Sequence, residues 1–194
     1  MPRLILASAS PQRKTLLTGL GLPFEVIPSH IDESECQVRD SKKRAQVLSQ
    51  LKARDIAHKH AGAVIIGCDT LVVGTEGHLL EKPADAEDAL RMLQLQSGRT
   101  SFVHSGVTVI SDAGKEFSGV SSSSVTFKKL SKEEEEWWIG TGLWKDRSGA
   151  FQIDGPGQLM IEEIRGDWSG IVGLPVFLLG ELLERAGVRH RRIH

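Results

Sequence analysis

The chain has 194 residues, enough for one sizeable core or for one core with a smaller lobe. Its 24 Lys and Arg balance 25 Asp and Glu, so a formal net charge of −1 argues against a strongly basic nucleic-acid binder, and any phosphate recognition must be local. No apolar run approaches the ~20 residues of a membrane span, no signal-peptide pattern opens the chain, and Cys36 and Cys68 lack metal-ligand spacing; a cytoplasmic protein with reduced thiols and no membrane partner is expected.

Residues 3–7 read as a buried strand, followed by the small-residue turn Ser8-Ala9-Ser10 and a helix over 11–20 that opens on Pro11 and ends at Gly19 or Gly21. Residues 24–28 form a second strand, completing a β-α-β opening. A polar loop through 30–37 leads to a long helix at 41–60, capped by Asp40 or Ser41. Residues 63–68 make a strand that ends at Asp69, and 71–73 with 78–80 form a hairpin around Gly74-Thr-Glu-Gly77. A helix at 85–95 stops at Gly98. Residues 100–111 and 116–128 are long antiparallel strands around an Asp-Ala-Gly-Lys turn, so the sheet is mixed.

Ser131 and Glu134 match a capping box, which accounts for much of the acidic run 133–136 and leaves little reason to read it as a metal site. Residues 140–157 are glycine-rich and irregular, 159–164 are a strand, and 173–186 are the closing helix, with Pro175 near its start and Gly187 beyond its end. Ser121–Ser124 reads as an exposed strand face, the four tryptophans as core or interface residues, and the basic end as a frayed tail.

The turn at 8–10 is suited to an anion: small residues admit close backbone approach, and unpaired N–H groups at the helix start face it. Arg13 and Lys14 lie in the first helical turn, where the macrodipole disfavours cations by roughly 0.3–1 kcal/mol each unless an anion is bound. Arg13 also shares the inward face of Leu16, Leu17 and Leu20. Asp69 reads either as a strand-end carboxylate that takes a proton from water or orients a metal, or as a turn aspartate. Lys52 lies on the arc of Ala45, Leu48 and Ile56, which places its ammonium on the buried side unless the stem snorkels outward. Lys82, between Glu81 and Pro83, is either a rigid phosphate contact or a turn lysine. P-loop, dinucleotide-fingerprint, nucleophile-elbow and zinc-protease motifs are all absent. An anion turn, scattered cations and one carboxylate are the parts of a phosphoric-anhydride hydrolase.

With Leu6-Ala-Ser-Ala-Ser-Pro-Gln-Arg13, Ile31-Asp32-Glu33, Leu51-Lys52-Ala53, Ile66-Gly67-Cys68-Asp69-Thr70, Glu81-Lys82-Pro83, Ser97-Gly98-Arg99-Thr100, Ser105-Gly106-Val107, Gly149-Ala150-Phe151 and Val172-Gly173-Leu174-Pro175 in order, the chain resembles the Maf family of nucleoside triphosphate pyrophosphatases. The resemblance implies an α/β fold with a mixed, twisted sheet flanked by helices. That fold is similar to the Maf and inosine-triphosphate-pyrophosphatase-like architecture: one domain over residues 1–187, two lobes around a central cleft, and a basic tail at 188–194.

It also implies hydrolysis of a nucleoside triphosphate to the monophosphate and pyrophosphate with a divalent cation, Mg2+ or Mn2+. The protein would be cytoplasmic and often a dimer, and its net charge of −1 makes nucleic acid an unexpected partner. By resemblance Asp69 is the proton acceptor; Ser8, Arg13, Lys52 and Lys82 surround the phosphates; Glu33, with Asp69, is a metal or water partner. Gln12, Thr70 and Asp154 stand at the positions that tune the base. Thr70 is similar to the branch acting on dTTP and UTP, which carries arginine at position 12 and glutamine at 154. A branch acting on a methylated GTP has an acidic residue at 154 but tryptophan at 12 and glutamine at 70. The rival readings are a non-hydrolytic module that senses a nucleotide or binds nucleic acid, and an enzyme acting on another small phosphorylated metabolite.

Overall fold

The computed structural model describes residues 2–188. Seven strands, β1 (Leu4–Leu6), β2 (Glu25–Val26), β3 (Val64–Val73), β4 (Leu79–Leu80), β5 (Thr100–Ile110), β6 (Glu116–Phe127) and β7 (Ile161–Arg165), form one sheet of order β2-β1-β3-β5-β6-β7, with β4 paired to β3. β1 is parallel to both β2 and β3, whereas β4 and β7 are antiparallel to their neighbours, so the sheet is mixed as expected. Side-chain bonds from Thr100 to Thr126 and from His104 to Ser122 show β5 and β6 running in opposite directions. The helices are α1 (Pro11–Thr18), α2 (Ser41–Ala57), α3 (Ala86–Gln96), α4 (Lys132–Thr141), α5 (Trp168–Val172) and α6 (Val176–Arg185).

The chain divides into two compact units. The first holds residues up to Asp69, Ser105–Ser121 and the chain from Gly173 onward; the second holds Thr70–His104 and Ser122–Val172. In the first unit, even-numbered β3 residues Val64, Ile66 and Cys68 join Leu4, Leu6, Leu17, Leu179 and Leu183 in one apolar cluster with α1 and α6. Ile65 faces the opposite way, with Ile5, Ala53 and Ile56 of α2. Two-residue alternation along the strand thus separates two helical layers. In the second unit, Met92, Leu93, Phe127, Trp138, Trp144 and Phe151 make the core. Trp138 and Trp144 donate their indole N–H groups to the carbonyls of Ala150 and Ile139, at 2.8 and 2.9 Å. Trp137 and Trp168 remain largely exposed.

Local signals account for most boundaries. Ser10 caps α1 with Pro11 at its first position, Asp40 caps α2, and Ser131 and Glu134 close a capping box on α4. Gly98 leaves α3 with a φ of 69°, an angle that suits glycine.

Three expectations about the elements fail, and one helix adds to them. The strand expected to stop at Asp69 runs on to Val73, because Thr70-Leu71-Val72-Val73 suit a strand and the Asp69 charge is met by a side chain rather than by water. The closing helix begins at Val176 rather than 173, since Pro175 pushes the residue before it out of the helical region and Gly173 has a φ of 134°. α5 was not anticipated; Asp167 starts it by accepting from Ser169 N–H and Oγ–H. The serine run is not uniformly exposed, because Ser123 is buried and bonded to both backbone polar groups of Asp167. Of the expected basic tail only Val188 falls within the described residues, and it is buried in the first unit's core.

Candidate active site

β1 leads through α1 to β2 on one side, and α2 then carries the chain back past β1 to β3 on the other. Adjacent parallel strands whose chains depart in opposite directions leave a crevice beyond their carboxyl ends, the usual ligand position in open α/β sheets. The last β1–β3 register pair is Leu6 with Ile66, and Ala7 N–H still bonds to the Ile66 carbonyl at 2.8 Å. Ser8 follows on β1 and Asp69, still inside β3, follows on the other strand, so both lie just past the last β1–β3 bond.

Asp69 is buried, at 4% exposure, and its Oδ1 accepts from Lys52 Nζ at 2.5 Å. The same ammonium lies 2.7 Å from Glu33 Oε1, and the Lys52 side chain is itself only 12% exposed. Asp69 Oδ2 is buried with no hydrogen-bond partner. A carboxylate oxygen in that state ordinarily costs a few kcal/mol, and such an orphan in a native fold points to a ligand or to chemistry.

Lys52 reaches Asp69 because α2 touches the sheet backbone to backbone. Ala45, Ser49 and Ala53 recur at four-residue intervals on one face of α2. A Cβ on Gly67 would lie 2.3 Å from the Ser49 carbonyl oxygen, and one on Gly106 would lie 2.2 Å from that of Ala45. Ser49 Oγ and Thr108 Oγ1 are bonded at 2.8 Å in the same buried layer. Lys52, beside this stripe, extends to Asp69, two residues past Gly67 on the same face of β3. The snorkelling alternative fails here because a buried carboxylate holds the ammonium in.

α2 also fixes the loop that carries Glu33. Asp55, one turn beyond Lys52, accepts from Lys59 Nζ at 2.7 Å and from His30 N–H at 3.1 Å, and these bonds pull its carboxyl down to about 2. Asp32 accepts from Ser34 Oγ–H and N–H, which holds its own carboxyl below the usual range and shapes the short turn Glu33–Glu35. The Glu33 side chain is half-exposed.

Ser8 is buried, and its Oγ accepts from Ser10 N–H at 3.2 Å and from Arg13 Nη1 at 3.0 Å. The expectation of unpaired N–H groups in this turn is corrected at two positions: Ser10 N–H turns to Ser8 Oγ, and Arg13 N–H to Ser10 Oγ at 3.4 Å. Short hydroxyl side chains satisfy these donors locally. Ser10 Oγ in turn donates to Gln12 Oε1 at 3.1 Å. Arg13 Nε donates 2.9 Å to the Gly173 carbonyl, which also accepts from Cys68 Sγ at 3.0 Å. The structure therefore gathers Ser8, Gln12 and Arg13 in one cluster, and Lys52, Asp69 and Glu33 in a second, both in the first unit.

Lys82, Thr70 and Asp154 belong to the second unit. Lys82 is exposed on the segment between β4 and α3. Thr70 follows Asp69 on β3 and so faces the other side of the sheet. Asp154 Oδ1 is ion-paired with Arg147 Nη1 at 3.3 Å. Sequence reasoning missed Gly67 and Gly106, although an isolated glycine inside an apolar strand signals close backbone approach. It also missed Gly173 as the carbonyl shared by Arg13 and Cys68, for which no local signal exists.

The profile of the Maf-like protein family matches residues 3–186. The chain belongs to the Maf family. This Maf chain is 46% identical over 187 residues to the dTTP/UTP pyrophosphatase of Deinococcus radiodurans, spanning 96% of this chain and 94% of that protein. It is 42% identical to proteins of the same name from Moorella thermoacetica and Methanosarcina barkeri, covering 97% of this chain in each case and 97% and 96% of those proteins. Among solved structures it is similar to a HAM1 protein from Coxiella burnetii, with a TM-score of 0.48 and 11% identity over 82% of this chain and 91% of that one. That likeness is too loose to carry an argument.

Proposed function

We propose that this Maf protein hydrolyses a nucleoside triphosphate, dTTP or UTP foremost, to the monophosphate and pyrophosphate by attack of water on the α-phosphorus. The observation that carries the reading is the Lys52–Asp69 pair with its unpartnered, buried Asp69 Oδ2, which follows the last β1–β3 bond on β3 as the Ser8–Arg13 turn follows it on β1. The names of full-length relatives support the same substrate class. In this reading Asp69 takes the proton from water as the new P–O bond forms and the bond to the bridging oxygen of pyrophosphate breaks. Ser8, Arg13, Lys52 and Lys82 offset the charge of the triphosphate and of the leaving pyrophosphate. An arriving phosphate gives Lys52 a competing anionic partner, and loosening its bond to Asp69 frees that carboxylate to accept a proton.

A divalent metal fits these residues in a limited way. Among the described residues no group of three metal-ligating side chains converges, but a magnesium-like ion commonly needs only one or two carboxylates plus substrate phosphates. Asp69 Oδ2 and Glu33 would hold it, and when bound it would neutralise phosphate charge and acidify water.

Gln12, Thr70 and Asp154 set the base preference in this reading. Thr70 supports dTTP and UTP, while Gln12 and Asp154 widen the set to be assayed toward modified nucleotides. The same reading includes a cytoplasmic dimer acting on free nucleotides rather than on nucleic acid. The test incubates purified protein and Mg2+ or Mn2+ with dTTP, UTP, CTP, GTP and methylated GTP, quantifying monophosphate, pyrophosphate and orthophosphate separately. Monophosphate and pyrophosphate in equal amounts, abolished in Asp69→Asn with its fold intact, are expected. Orthophosphate as the primary product refutes attack at the α position, and a rise in melting temperature with no product at all favours a nucleotide sensor.

A further inference from the structure

The Val172-Gly173-Leu174-Pro175 stretch is left without a role by the proposed chemistry, yet its glycine touches the site. The Gly173 carbonyl accepts from Arg13 Nε at 2.9 Å and from Cys68 Sγ at 3.0 Å, joining residues 160 and 105 positions away in sequence. Gly173 and Cys68 are buried. Cys68 immediately precedes Asp69 on β3, so one peptide oxygen connects the guanidinium of α1 to the strand that carries the carboxylate. The Gly173 φ of 134° lies where side-chain-bearing residues are strained, which fixes this carbonyl's direction to the presence of glycine.

Arg13 needs such a support. A long side chain in the first turn of a helix is repelled by the macrodipole and samples many rotamers. A guanidinium is a planar fork of five N–H groups, so holding Nε on a fixed oxygen and Nη1 on Ser8 Oγ sets the plane of the fork. The direction of its other N–H groups follows from that plane. A phosphate then meets an aligned fork instead of ordering a loose one, a saving that appears in binding.

We infer that Gly173 is a positioning residue: its carbonyl, steadied by the Cys68 thiol, aligns the Arg13 guanidinium for the phosphate chain of the substrate. The inference rests on the phosphate-binding role of Arg13 proposed above. It differs from that role in acting through backbone that never touches substrate.

A double-mutant cycle separates the two. Affinity for inorganic pyrophosphate is measured by calorimetry in the wild type, Gly173→Ala, Arg13→Ala and the double variant, with KM and kcat for UTP followed alongside. Gly173→Ala is expected to weaken pyrophosphate binding and raise KM about tenfold, with a much smaller change in kcat, and to add almost nothing in the Arg13→Ala background. Additive losses, or unchanged affinity in Gly173→Ala, overturn the inference. Undiminished affinity in Arg13→Ala instead removes the phosphate role on which it rests.

Should Gly173→Ala fail to fold, Cys68 decides. Cys68→Ala, which deletes the thiol donor to this carbonyl, should weaken pyrophosphate binding two- to threefold, and Cys68→Ser, which restores a donor, should recover it. Equal affinity in all three proteins overturns the inference.

Discussion

Gly67→Ala tests whether α2 sets the Lys52–Asp69 geometry through backbone contact. The added methyl would sit 2.3 Å from the Ser49 carbonyl oxygen, 2.7 Å from Ala53 N and 2.8 Å from Ala53 Cβ, where ordinary contact begins at 3.4 Å. None of these atoms is the far end of a flexible side chain, so relief requires α2 to retreat by about 1 Å as a body. The second close approach, Ala45 over Gly106, resists that shift from the other end of the contact. Overpacking of this severity costs about 3 kcal/mol, which lowers the melting temperature of a chain this size by roughly 6–12 °C. The same retreat lengthens the Lys52–Asp69 bond of 2.5 Å beyond hydrogen-bonding reach. A misplacement near 1 Å is worth about a hundredfold in rate. Thermal unfolding and kcat/KM for UTP, measured well below the new melting temperature, report the two effects separately. Wild-type activity in a destabilised variant would refute the claim that the close packing positions Lys52, and wild-type stability would refute the contact itself.

Lys52→Met should destabilise the fold by about 3–5 kcal/mol at neutral pH, because it leaves the Asp69 carboxylate buried and unpaired; Lys52→Met with Asp69→Asn should recover much of that stability and none of the activity, as denaturant titration and product assays would show. Asp55 gives a pH dependence of definite sign. Its folded value of about 2 lies below the ordinary 3.8, so its contribution is complete above about pH 4 and is lost as pH falls toward 2. After allowance for solvent screening that contribution is of order 1 kcal/mol. Asp55→Asn should therefore flatten the acid limb of the stability curve between pH 4 and 2, and an unchanged limb would contradict the assignment.

The sequence was sufficient wherever the cause is local. Ser10 with Pro11, Asp40, the Ser131–Glu134 box, the Gly74–Gly77 turn and the Asp112–Lys115 turn are each decided by a few neighbouring residues, and they delimit the elements with small end errors. The β-α-β opening followed from alternating element types. The places of Arg13 in the first turn of α1 and of a carboxylate just past the β1–β3 pairing were also legible, since both follow from element boundaries.

What only the tertiary structure decided depends on groups far apart in the chain. In the sequence Asp69 closes a run of small and β-branched residues, and nothing local shows that Lys52, 17 residues earlier, meets its charge so that the strand can continue. Gly67 fits under α2 only because Ser49 and Ala53 are small at matching positions, a condition that two separate elements satisfy jointly. Gly173 meets Arg13 across 160 residues, and its backbone angle has no signature beyond being glycine. Propensity, capping and turn chemistry act within a few residues, whereas ion-pair partners, close backbone approach and the direction of a shared carbonyl exist only once the chain has folded back on itself.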